Sequence, residues 1–266
     1  MPNEHKQLPL RHGESAAAFI LIIQLLGGGA ALTVAYFSRS LAAWAEGWHL
    51  LAGILVWLPC YMHQRLRRLA REEELETEAL RQAAQDKTRL FEVQEAELFS
   101  AKNRVEQFEK YFLPVFSLLV CVVLGTLSFY LLRETIATPV PDKVESASMT
   151  AVIFGFASII SFLLARYSAG LAVEPAWRAV RPGANYSMSC AVGSFLVLLS
   201  LASYHFGATW LDPIVAYVIP ILLGILGLET LIFLVWSIYR PRVPGVEWRA
   251  AHDSRLLGIL TTSGGI

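Results

Sequence analysis

The sequence predicts an all-α, polytopic membrane protein with six transmembrane helices and a cytoplasmic helical, coiled-coil-like insert between helices two and three. Three observations carry that reading. Of the 266 residues, 55% are hydrophobic and 17% charged, with a mean hydropathy of +0.49, whereas a soluble domain is roughly 45–50% apolar and about 25% charged. The charges are also segregated: they crowd between Arg65 and Lys110, and several long stretches carry almost none. Finally, six of those stretches reach or approach the ~20 apolar residues that a helix needs to cross the hydrocarbon layer.

The elements follow in order. A polar segment, MPNEHKQLPLRHGES, precedes the first run, Ala16–Phe37. That run is too long for a signal-peptide core and lacks a clear cleavage site, so it reads as a retained span. Ser38-Arg39-Ser40 alone joins it to Ser40–Met62, which demands a tight helical hairpin. The remaining spans are Tyr111–Leu132, Met149–Ala165, Met188–Phe206 and Pro213–Ile238. Asp212-Pro213 opens the sixth, the aspartate suited to capping orphan N–H groups and the proline to a first helical turn. The chain thus divides into 1–62 (N-terminal segment and two spans), 63–110 (insert), 111–238 (four spans) and 239–266 (a short tail).

Basic residues orient these spans. With the N-terminus inside, all 22 lysines and arginines except Arg39, Arg133 and Lys143 fall on the inner side. Arg65, Arg67, Arg68 and Arg71 lie right at a span end, where the positive-inside bias counts most. The expected location is the cell membrane, with both termini cytoplasmic and the lipid bilayer as the surrounding partner.

The insert, Arg65–Lys110, contains no Pro or Gly and is rich in helix formers. Its apolar positions are sparse and their heptad phase drifts; Gln85-Asp86-Lys87 is a plausible bend between two antiparallel helices. It reads either as a stalk for oligomerisation (a homodimer) or for docking a cytoplasmic protein, or as a solvated extension of the spans beside it. A net charge of zero gives no sign of a nucleic-acid partner. Cys60, Cys121 and Cys190 lie in apolar runs without a CxxC, which argues against a disulfide framework or zinc knuckle. No phosphate-binding glycine loop, HExxH or nucleophile elbow points to an enzyme, and no convincing nucleophile and base pair appears.

Ionisable groups inside spans are costly unless paired or hydrated. Glu46, His49 and Gly53 share one face of the second span at offsets of three and four. The carboxylate and imidazole could hold a cation or a proton; alternatively Glu46 is hydrated near the outer boundary and His49 bonds a neighbouring helix. Glu229, deep in the sixth span, must find a partner or water. Arg166 can snorkel to the interface, and His205 is expected to be solvated at an outer end. Gly27-Gly28-Gly29 and the Gly224/Gly227 pair suit close helix packing.

The run SRSLAAWAEGWHLLAGILV (Ser38–Val56) resembles the second span of the cation diffusion facilitator transporters. TWLDPIVAYVIPILLGILGLETL (Thr209–Leu231) resembles their sixth, with its W-x-D-P-I-V opening, and Arg104-Val105-Glu106 sits where that family has an R-x-E entry to span three. The resemblance covers roughly Glu14–Trp236 apart from the insert. It implies proton-coupled transport of zinc or another divalent cation at a tetrahedral site with two ligands from span two and two from span five. Position by position, His49 takes the first place and Gly53, which has no side chain, the second. The span-five pair falls on Tyr186 and Cys190, or on Asn185 and Ser189 in a register shifted by one. The implied metal residues are therefore His49, Glu46 (a replacement one turn earlier), Cys190 and Tyr186. The family's His-rich loop and cytoplasmic metal-sensing domain have no counterpart in these 266 residues. The missing ligands favour a second expectation, a transport-inactive anchor or scaffold whose insert and tail bind partners. The ending AHDSRLLGILTTSGGI resembles the region before stomatin–prohibitin-type domains, so the chain is expected to belong to a longer protein.

Overall fold

The computed structural model describes residues 4–83, 104, 105, 107–139, 144–171, 181–204 and 206–239. They form α1 (Glu4–Ser38), α2 (Leu41–Ala83), α3 (Leu113–Ala137, entered through a π-helical turn at Phe108–Phe112), α4 (Ala147–Leu171), α5 (Arg181–Tyr204) and α6 (Leu211–Tyr239). No strand occurs among the described residues. All six helices are long and apolar enough to cross a membrane, over Glu14–Ser38, Leu41–Glu73, Lys110–Ala137, Ala147–Leu171, Pro182–Tyr204 and Leu211–Ile232. The expected spans match these to within six residues at either end, except that α2 continues well past Met62. The bend expected at Gln85–Lys87, His205 and the tail beyond Tyr239 lie outside the described residues. Arg104 nevertheless reaches Glu73 at 2.8 Å, so the chain returns beside α2 after the insert.

The amount of burial in each helix explains the arrangement. α2 packs against α1, α3, α5 and α6 and is the central helix; 61% of its span window is buried, against 22% for α3 and for α4. The outward faces carry Phe19, Leu26, Phe129, Ile136, Phe156, Leu163, Ile225 and Leu228. So much exposed apolar surface is untenable in water but matches lipid. The chain is a multi-pass membrane protein.

Local chemistry accounts for the joints. Arg39 turns the α1–α2 hairpin in the left-handed region (φ 57°), and Ser40 caps α2 by accepting the Ala43 N–H at 3.1 Å. α1 presents Ile20, Gln24, Gly28, Ala31, Ala35 and Ser38 to the bundle at helical spacing. A Cβ on Gly28 would lie 2.9 Å from the Leu51 backbone nitrogen, so the glycine lets α1 and α2 touch; Gly27 and Gly29 have nothing within 4 Å and play no such part. Gly224 and Gly227 likewise fit against α3, under Ser128 and Leu124. Pro220 deprives the Ala216 carbonyl of its helical N–H. Thr135 from α3 stands 3.5 Å from that carbonyl, and Ser128 donates to the Pro220 carbonyl at 2.7 Å. The shorter bond of the Thr135 hydroxyl is to the Leu131 carbonyl of its own helix, at 2.8 Å, and the Ser128 bond ties α3 to α6.

The connections gather at two ends. The Glu145 N–H bonds the Ser38 carbonyl at 3.0 Å and Asp212 bonds Ser40 at 2.6 Å, which places the α1–α2, α3–α4 and α5–α6 joints together. At the other end, Arg68 pairs with Glu14 at 2.9 Å, and Phe108 stacks on His63 with ring centroids 6.1 Å apart.

Candidate functional site

A row of four polar side chains crosses the interface between α2 and α5. Ser194 Oγ donates to Glu46 Oε1 at 2.9 Å. The other carboxylate oxygen, Oε2, lies 2.9 Å from His49 Nδ1, and Cys190 Sγ lies 4.0 Å from His49 Nε2. Glu46, His49, Ser194 and Cys190 are each 0% exposed, which overturns a hydrated Glu46. Helical spacing makes the row possible: Glu46 and His49 are three apart on α2, and Cys190 and Ser194 four apart on α5.

The closeness of the helices is set by glycines. A Cβ on Gly193 would overlap the Glu46 carboxylate, so only glycine lets the carboxylate lie flat against α5. A Cβ on Gly53 would come to 2.9 Å from both the Gln24 amide and Tyr186 Cε1. The Tyr186 ring and Gln24, from α1, thus fill the room that a side chain at position 53 would need. Tyr186 OH in turn donates to the His49 carbonyl, and its ring meets the His49 ring edge-on at 5.2 Å.

The structure therefore brings all four expected site residues together but does not aim their donor atoms at one point. Glu46 and Cys190 stand at opposite nitrogens of one imidazole, and Tyr186 spends its hydroxyl on the backbone. Among the described residues, no group of three or more His, Cys, Asp or Glu side chains is arranged to hold a metal ion. A proton on Nδ1 satisfies Glu46 and leaves the Nε2 lone pair facing the thiol. Of the shifted register, Asn185 lies beside Glu229 of α6, and Ser189 is half-buried.

No family model matches the chain, and no curated protein matches it.

Two features escaped the sequence reading. Asp212 does not serve α6 alone: its carboxylate accepts from Ser40 Oγ at 2.6 Å and from the Leu41 N–H at 3.0 Å, with Ser200 Oγ at 3.4 Å, capping α2 from another helix. The second feature is a polar seam. Beyond Glu46, His49 and Gly53, the same α2 face carries Trp57 and Gln64. Trp57 Nε1, both amide atoms of Gln64 and Gln24 Oε1 are buried without a hydrogen-bond partner. Such groups cost several kcal/mol each in a bilayer unless water reaches them. A mid-span glutamine at position 24 was the one sequence signal for this seam.

The thiol–imidazole–carboxylate order is also that of a cysteine nucleophile with its base and orienting acid. Here the whole row is enclosed between α2 and α5, with Cys190 0% exposed.

Proposed function

We propose that this protein is a membrane transporter that exchanges a metal cation for protons at the α2–α5 interface, as its resemblance to the cation diffusion facilitators implies. The observation that carries the proposal is His49, wholly enclosed and flanked by Glu46 and Cys190, at the point where Gly53, Tyr186 and Cys190 also meet. Enclosure suits the occluded state of a carrier whose site faces each side in turn. Proton exchange follows from the donors, since a thiol has to lose its proton to bind a cation. The polar seam through Gln24, Trp57 and Gln64 supplies polar groups along α2 that an ion could pass. The positive-inside asymmetry supports cytoplasmic placement of both termini and of 63–110.

A second reading has its own support. Gly53 offers no ligand and Tyr186 spends its hydroxyl, so the donors do not complete the tetrahedron a divalent ion such as zinc requires. That favours a bundle without transport, anchoring a partner through 63–110 or the tail. Reconstitution separates the two. Proteoliposomes carrying an internal pH dye are expected to take up zinc, manganese or silver with opposing proton movement, and His49→Gln to abolish it. Absence of uptake of all three would leave the scaffold reading.

A further inference from the structure

We propose that the site between His49 and Cys190 takes a monovalent soft cation, copper(I) in class, in two-coordinate fashion, with Glu46 as the carboxylate that orients the imidazole. Its role as cargo rests on the transport reading; the binding site does not.

Three arguments lead there. The first is the donor count. Glu46 holds Nδ1 at 2.9 Å, the arrangement by which a ligating histidine is fixed from behind. Nε2 then has no partner but Cys190 Sγ, and both groups are fully buried. One imidazole nitrogen and one sulfur therefore remain. Thiolate donors suit copper(I), zinc and iron–sulfur clusters; of these, copper(I) is the one content with two ligands.

The second argument is distance. An ion with zinc-like bonds of about 2.0 Å to nitrogen and 2.3 Å to sulfur, at a tetrahedral angle, would draw the two donors to roughly 3.5 Å; in a straight line it would span about 4.3 Å. The 4.0 Å observed is nearer the open arrangement. Tyr186 and Gln24 pack against Gly53, where a third ligand would enter.

The third argument is charge. When a monovalent cation replaces the thiol proton, the S–H bond breaks, a sulfur–metal bond forms and the proton leaves, so the charge of the site is unchanged. A monovalent ion thus leaves the Glu46 carboxylate and the Nδ1 proton paired as they are in the ion-free protein, whereas a divalent ion shifts the charge of the site by one unit.

Silver(I) is the probe, as an air-stable ion of the same class. It is added to detergent-purified Cys60→Ser/Cys121→Ser protein, so that Cys190 is the only thiol. The metal retained after desalting is counted, and its neighbours are read by X-ray absorption. One silver per protomer is expected, with one nitrogen and one sulfur neighbour, undisplaced by excess zinc. Cys190→Ser should remove it. Glu46→Gln, which keeps the shape, should keep the stoichiometry but weaken binding roughly 10- to 100-fold. Retention indifferent to Cys190→Ser, displacement by zinc, or a four-ligand shell would overturn the proposal; the absorption spectrum decides even if a variant misfolds. Silver held by Cys190 without flux in proteoliposomes would remove the transport reading and keep this site. Zinc flux with no silver bound would do the reverse.

Discussion

Replacing Asp212 by alanine removes the point at which three helices are tied. Its carboxylate receives Ser40 Oγ at 2.6 Å and the Leu41 N–H at 3.0 Å, and all three residues are buried. Orphaning a buried donor costs about 1–3 kcal/mol, and losing a helix N-cap costs roughly 0.5–2 kcal/mol. Two orphaned donors at one helix start, partly relieved by rearrangement in the membrane, put Asp212→Ala at about 3 kcal/mol. Ser40→Ala should cost less, about 1–2 kcal/mol, because Leu41 keeps its acceptor. The double variant should fall short of the sum of the two, since both changes remove the Ser40–Asp212 bond while only Ser40→Ala removes the cap on the Ala43 N–H. The assay is unfolding in mixed lipid–detergent micelles titrated with dodecyl sulfate and followed by circular dichroism, with the lipid-facing Ile214→Ala as control. Strict additivity of the two changes, or an Asp212→Ala cost no larger than that of Ile214→Ala, would refute the reasoning.

Two further predictions concern the helix interfaces. Gly193→Ala should destabilise by about 1–3 kcal/mol through overpacking against the Glu46 carboxylate, and Glu46→Ala should relieve most of that penalty in the same titration; equal penalties in both backgrounds would show that the carboxylate does not lie against α5. Ser128→Ala should cost about 0.6 kcal/mol, the average for an intramembrane hydrogen bond, because its donation to the Pro220 carbonyl at 2.7 Å ties α3 to α6. A Ser128→Ala cost no larger than that of the lipid-facing Ile214→Ala would contradict that tie.

The six spans were legible because bilayer thickness imposes one dominant length and polarity on each, and Ser38-Arg39-Ser40 left no alternative to a tight hairpin. The site was legible in part. Glu46 and His49 were visible as a pair because their spacing is local to one helix. Ser194, which bonds Glu46, and Gln24, which packs over Gly53, were not, since a lone serine or glutamine in a span carries no mark of which neighbour it faces. Asp212 shows the same limit: its place at the start of α6 suggested a local cap, yet the nearer unsatisfied N–H belonged to α2, and only helix packing decides that. The resemblance pointed to Tyr186 and Cys190, but not to the fact that Glu46 and Cys190 would take opposite nitrogens of one ring. That detail turns four candidate ligands into two donors and an orienting carboxylate.

The most direct test of the account is the count of protons released when the purified protein binds a cation, read with a dye in weakly buffered detergent solution for silver and zinc in turn. If the Glu46–His49–Cys190 row trades a proton for a cation, at least one of these ions should release about one proton per ion bound, and Cys190→Ser should abolish that release. Release of no protons by either ion, or release unchanged by Cys190→Ser, would contradict it.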